Sequence, residues 1–116
     1  MEFATALQYM ATHAWSDAAQ ELHRHEDPTS ADWNALMGRV MQQGGLAPAD
    51  EYRARFDEAL RLNPGHFGAL QFKGESDLAQ GNLASARAAL QRLGNSCENA
   101  CAEYDSLKTA IANASH

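Results

Sequence analysis

Tyr52-Arg53-Ala54-Arg55-Phe56-Asp57-Glu58-Ala59-Leu60-Arg61-Leu62-Asn63-Pro64 sets Tyr52, Phe56, Ala59 and Leu60 at i, i+4, i+7 and i+8 and ends on a proline. That spacing puts the four side chains on one side of a 3.6-residue period and predicts an amphipathic helix. Pro64 lacks an amide hydrogen and disfavours helix in the residue before it, so the helix stops near Leu62.

Working outward, the pattern recurs. Asp27-Pro28 stands 36 residues upstream of Asn63-Pro64 and also follows an apolar-periodic stretch, Ala18, Ala19 and Leu22. A second stretch follows each proline: Trp33, Leu36 and Val40 in one case, Phe67, Leu70, Gly74 and Leu78 in the other. Gly44-Gly45 and Gly81-Asn82 split the later units, and Ala86, Ala89, Leu90 and Leu93 form one more helical stripe. With a single valine and abundant alanine, strand signals are nearly absent. The spacing predicts seven helices, over about 2–12, 15–25, 30–43, 48–62, 66–80, 83–93 and 97–113. Thr29 or Ser30, and Ser96, are candidate N-caps. Pro48 suits a first helical turn, and Gly94-Asn95 a C-terminal stop.

Composition narrows the functional classes. The 116 residues fit one domain, and 45% are apolar, enough for a core. The formal charge is −6, from 15 acidic and 9 basic residues with no Lys/Arg cluster. A surface tracking nucleic-acid phosphates or an anionic membrane is therefore not expected. No apolar run reaches the roughly 18 residues of a membrane span, and Met1 to Thr5 carries no signal-peptide pattern.

At these residues the chain resembles the tetratricopeptide repeat, a 34-residue helix–turn–helix unit with the pattern W-x₂-L-G-x₂-Y…A-x₃-F…P. The second unit reads Trp33, Leu36, Gly38 after one extra residue (Met37), Phe56, Ala59 and Asn63-Pro64. The third reads Leu70, Gly74, Gly81-Asn82, Ala86, Leu90 and Leu93. The first is degenerate: Ala6, Tyr9, Trp15, Ala18, Leu22 and Pro28. The resemblance covers about 3–93. It implies an all-α single domain over 1–116, a right-handed superhelical stack of three helix-turn-helix units (about 1–28, 29–64 and 65–96) closed by a capping helix over about 97–113. Small residues at Ala6, Gly38 and Gly74 would let the first helix of each unit approach its partner, and Ala18 and Ala86 would do the same from the second. Lys73 and Asp77 depart from the family by standing where apolar and aromatic residues are usual, and Tyr52 stands where a small one is expected.

The last segment, from Leu93 through Cys97 and Cys101 to Leu107 and Ile111, is similar to a group of small bacterial repeat proteins that usually carry export signals and end in a Cys-x₃-Cys helix. That likeness implies a periplasmic or otherwise exported setting, a cytoplasmic one being the alternative. Cys97, Cys101, Tyr104, Leu107 and Ile111 share one predicted stripe. The two cysteines allow three readings: buried thiols packing the capping helix, a disulfide, or a redox or metal site. Cβ atoms at i and i+4 of a helix lie about 5–6 Å apart, and a disulfide wants about 3.8 Å. A bridge therefore requires a distorted first turn, for which Gly94-Asn95-Ser96 is suited. Zinc needs further ligands, and apart from His116 no histidine lies close in sequence.

No enzyme is expected. No nucleophile–base–orienter set, phosphate-binding glycine loop or cofactor motif is present, so no catalytic residue, cofactor or metal is assigned. His13, His23, His25, His66 and His116 are read as surface or structural. The family resemblance implies a concave groove for another protein or peptide. It would be lined by Asn34, Arg39 and Gln42 in the second unit, Gln71, Glu75 and Leu78 in the third, and Phe3, Leu7 and Met10 in the first. Arg39 is the one groove cation, so the basic clamp with which some relatives hold a terminal carboxylate is not evident. Alternative uses are a thiol-redox or metal accessory acting through Cys97 and Cys101, or self-association through Phe3, Trp15 or Leu46. In an oxidised sample, a bridged pair makes the intact protein two hydrogens lighter and resistant to alkylation; two freely alkylated thiols would exclude the bridge.

Overall fold

A computed structural model describes residues 3–114; Met1, Glu2, Ser115 and His116, and with them the expected helix start at residue 2, lie outside the described residues. The described residues form seven α-helices and no strand: α1 Ala4–Ala11, α2 Trp15–Arg24, α3 Ala31–Gly44, α4 Ala49–Leu62, α5 Phe67–Ala79, α6 Leu83–Cys97 and α7 Ala102–Ala114. Local chemistry sets the ends. Ser30 Oγ accepts from the Trp33 amide (3.1 Å), starting α3, and left-handed Gly45 (φ 63°) closes it. Asn82 Oδ1 accepts from the Ser85 amide (3.1 Å) to start α6, and His66 Nδ1 caps α5 by accepting from the Ala69 amide (3.0 Å). The chain divides after Leu62 into two compact units.

In the first unit, α1 to α4 pack in sequence order. Their core holds Phe3, Ala6, Ala18, Leu22, Trp33, Met37 and Val40, with Met10, Trp15, Leu36 and Met41 packed around it. Phe3 is 9% exposed, so it is neither a groove residue nor part of an exposed apolar patch; it stands at the start of α1 on the packed side, and the core takes it. Trp15 is half-buried and stacks on His13 (ring centroids 5.3 Å apart), leaving Leu46 as the exposed member of the three proposed for self-association. Trp33 is buried, its Nε1 donating to the Leu22 carbonyl (2.9 Å), so the aromatic ring ties α3 to the end of α2 without leaving a polar atom unpaired. The guanidinium of Arg55 lies 5.1 Å over the same ring. At Gly38 the two helices of the α3–α4 hairpin meet: a Cβ there would lie 2.6 Å from the ring edge of Phe56.

In the second unit, α5, α6 and α7 pack pairwise. Leu70, Ala86, Ala89, Leu93, Leu107 and Ile111 are buried. Gly74 meets α7 rather than the other helix of its own hairpin, for a Cβ on it would lie 2.7 Å from Leu107 Cδ2. The family departures Lys73 and Asp77 form one polar cluster. Asp77, with no exposed surface, accepts from Lys73 Nζ (2.9 Å) and from Ser85 Oγ (2.7 Å), bridging α5 to α6. Two expectations are corrected. Phe67 is 39% exposed, not a core member with Leu70 and Gly74. Helix α6 does not stop at Gly94-Asn95 but runs on to Cys97, because Gly94 is a packing glycine, with Tyr104 and Asn99 occupying the space a Cβ would need. The chain turns instead at Glu98 (φ 55°) and Asn99 (φ 59°). Cys97 and Cys101 therefore lie on either side of a corner and share no helical stripe; only Tyr104, Leu107 and Ile111 do.

Two substitutions test this packing. Gly38→Ala forces the Phe56 ring aside and should cost about 1–3 kcal/mol, a fall in Tm of several degrees in thermal unfolding. Asp77→Ala removes the carboxylate that pairs the Lys73 ammonium, leaving it the weaker bond to Ser85 Oγ (3.3 Å). Because the lysine side chain is 23% exposed, the cost should be about 2 kcal/mol, below the range of a fully buried pair.

Candidate functional site

The groove candidates are best described helix by helix. On α3, Asn34 is fully buried: its Nδ2 donates to the carbonyls of Pro28 (3.0 Å) and Ser30 (2.9 Å), and its Oδ1 accepts from Arg55 Nη1 (3.4 Å). Its side chain satisfies the turn before α3 and steadies Arg55. Arg39 and Gln42 are half-buried and pair along the helix, Arg39 Nη1 donating to Gln42 Oε1 (3.4 Å). On α1, Leu7 and Met10 are half-buried, and Met10 packs on the core.

On α5 the three candidates fall together. Gln71, Glu75 and Leu78 are all half-buried, and Gln71 Nε2 donates to Glu75 Oε1 (3.0 Å). Their spacing, with Phe67, is i, i+4, i+8 and i+11, which is one side of a helix. Buried Leu70, Gly74 and Asp77 lie on the neighbouring flank of α5, about a quarter-turn round the helix, in the part that packs with α6 and α7. The result is a strip with an aromatic at one end, an aliphatic at the other and a hydrogen-bonded amide–carboxylate pair between. Phe67 was missed as a surface residue because its spacing to Leu70 and Gly74 fits a core stripe equally well.

A second feature includes one of the predicted groove residues. An open depression of about 510 Å³ lies between α3, α4 and the turn before α3, lined by Pro28, Asn34, Met41 and Ala54 with the charged Glu51, Arg55 and Glu58. The charged members recur at i, i+4 and i+7 on α4, the spacing of ordinary solvated helix charge. Arg61 Nε donates to both Glu58 carboxylate oxygens (3.0 Å each) and holds that carboxyl below the usual range; Arg55 adds a weaker pull in the same direction.

The histidines are dispersed. His23 meets Glu26 (3.5 Å), His25 meets Glu21 (3.2 Å), His13 stacks on Trp15, His66 caps α5, and His116 lies outside the described residues. Among the described residues no three His, Cys, Asp or Glu side chains are grouped to hold a metal ion, and no helix is long and apolar enough to cross a membrane. Cys97 and Cys101 face each other across the α6–α7 corner with Cα atoms 5.8 Å apart, inside the range a disulfide needs. The corner, rather than a distorted helical turn, brings them together.

These helices, hairpins and small-residue contacts define an all-α helical-repeat protein. The tetratricopeptide repeat profile matches residues 50–111, and the chain belongs to the tetratricopeptide repeat family. Among solved structures it resembles the type III secretion chaperone SycD of Yersinia enterocolitica in complex with a peptide of the translocator YopD, at 16% identity over 97% of this chain and 86% of that one, with a TM-score of 0.75. It also resembles PcrH in complex with the chaperone-binding region of PopD, at 16% identity over 98% of this chain and 86% of that one, with a TM-score of 0.75. At that identity the likeness is one of fold. No curated protein sequence matches the chain.

The structural role of Asn34 is separable from that of its neighbours. Asn34→Ala should destabilise by about 1–2 kcal/mol by removing the side-chain donor to the Pro28 carbonyl, the Ser30 carbonyl still accepting from the residue-34 amide, whereas Gln42→Ala should stay within about 0.5 kcal/mol of the parent, both read by denaturant unfolding.

Proposed function

We propose that this protein is a non-catalytic protein-interaction scaffold that holds a peptide or helical segment of another protein. The observation that carries the reading is the α5 strip. Phe67 and Leu78 offer apolar area at its two ends, and Gln71 and Glu75 offer hydrogen-bonding atoms between them. Eleven residues of helix span about 16 Å, a length that some five residues of extended chain also cover. The strip thus suits a short segment with two apolar side chains about five residues apart and a polar or basic residue facing Glu75. Arg39 and Gln42 on α3 are proposed separately as a polar contact surface of the first unit. The fold likeness to SycD, seen with a peptide of the translocator YopD, and to PcrH, seen with the chaperone-binding region of PopD, supports the reading. A strip of this size is expected to bind at micromolar order.

The proposal extends to setting. An exported or periplasmic location, in which Cys97 and Cys101 form a disulfide, accords with their approach at the corner.

A peptide display library selected against the full chain, followed by Kd measurement on the recovered peptides, tests the function. Phe67→Ala and Leu78→Ala should each weaken binding about tenfold, the loss of about 1.4 kcal/mol of apolar contact, with the circular dichroism spectrum unchanged. Peptides that bind all of the Phe67→Ala, Leu78→Ala and Arg39→Glu variants as well as the parent would refute the assignment.

A further inference from the structure

We infer that the Cys97–Cys101 link is a thiol-controlled clasp on α7, whose opening uncovers the α5 surface that α7 occupies. This rests on the disulfide proposed above. Cys97 is the last residue of α6 and Cys101 the residue before α7, so the bond spans only the corner between two helices. Both cysteines are half-buried, with part of their surface open to an external thiol. Between them Glu98 and Asn99 lie consecutively in the left-handed region, φ 55° and 59°. That conformation is unfavourable for L side chains, and two in a row would relax unless the flanking chain held them. Apart from the bond, the corner is kept by the Asn99 amide donating to the Gly94 carbonyl (2.9 Å) and the Ala100 amide donating to the Cys97 carbonyl (3.0 Å).

Helix α7 is anchored along one side. Of its 13 residues Leu107 and Ile111 are buried, Leu107 against Gly74 of α5, and half-buried Tyr104 packs on Gly94 of α6. Two large aliphatic side chains return about 3–6 kcal/mol on burial, well short of the roughly 13–26 kcal/mol of backbone entropy that ordering a helix of this length costs, so its hydrogen bonds and half-buried contacts supply the balance. The position of α7 is therefore sensitive to a constraint at its root.

The exchange step balances simply. One thiolate of a thioredoxin-type dithiol attacks one sulfur of the pair and forms a mixed disulfide, and the released cysteine thiolate takes a proton from solvent. The second thiol of the reductant then closes its own disulfide, freeing the other cysteine, so the reductant loses two electrons and the Cys97–Cys101 pair gains them. Removing so short a loop constraint should raise the opening equilibrium of α7 about thirty-fold, or about 2 kcal/mol at 1.4 kcal/mol per factor of ten.

Hydrogen exchange by mass spectrometry on the full chain, oxidised and after dithiothreitol, tests the clasp. The expected result is exchange across 102–114 about thirty-fold faster after reduction, with α1 to α4 unchanged. Cys97→Ser/Cys101→Ser should show the fast pattern in both conditions. Exchange in α7 that is unaltered by verified reduction, or acceleration spread evenly over all seven helices, would overturn the inference. Free thiols in the air-oxidised chain would also overturn it, by removing the disulfide on which it rests, and would leave the α5 binding reading standing.

Discussion

Two glycine contacts set the distances on which each unit depends: the Phe56 ring edge against Gly38, and the Leu107 methyl groups against Gly74. Helices with one apolar stripe are stable only when a neighbour covers it, and dispersion attraction falls off steeply with a gap of about half an ångström. A missing Cβ at each position lets a large side chain sit directly on the backbone. In the first unit this brings α4 onto α3, and Arg55 onto the face of Trp33. In the second it seats α7 on α5 at Gly74, beside the strip that runs from Phe67 to Leu78.

Function follows from which surfaces that packing uses. Polar groups inside the units serve structure. Asn34 holds the turn before α3, and Asp77 joins Lys73 to Ser85. A buried carboxylate of this kind is tolerated because both its partners donate to it. The half-buried residues of α5 are placed differently: Gln71 and Glu75 bond to each other along their own helix, and the apolar ends flank them. Helical-repeat proteins commonly bind through surfaces of rigid stacked elements rather than through loops, and a strip on α5 fits that arrangement.

Much of the architecture was legible in the chain. Pro28 and Pro64 end helices because they cannot extend them, Ser30 caps α3, and Trp33, Gly38 and Phe56 occupy their family positions in the core. What was not legible depended on contacts far along the chain. Gly94-Asn95 has the composition of a helix stop, yet Gly94 is consumed by packing against Tyr104, and the turn falls to Glu98 and Asn99. Asn34 looks like a solvated helix residue until the carbonyls of Pro28 and Ser30 arrive beside it. Phe67 fits the same periodicity as Leu70; only the placement of α6 and α7 decides which flank of α5 is covered. The candidate site was thus partly readable: the α5 positions Gln71, Glu75 and Leu78 share a strip, Asn34 is buried where it lines the α3–α4 depression, and Phe3 belongs to the core.

The claim that close approach at small residues organises each unit is tested most directly by a double-mutant cycle of Gly74→Ala and Leu107→Ala, measured by equilibrium denaturation. Adding a methyl at Gly74 should be costly beside Leu107 and much cheaper once Leu107→Ala has shortened the facing side chain, giving a coupling of at least about 1 kcal/mol. Costs that add to within about 0.3 kcal/mol would show that the two side chains do not share that space.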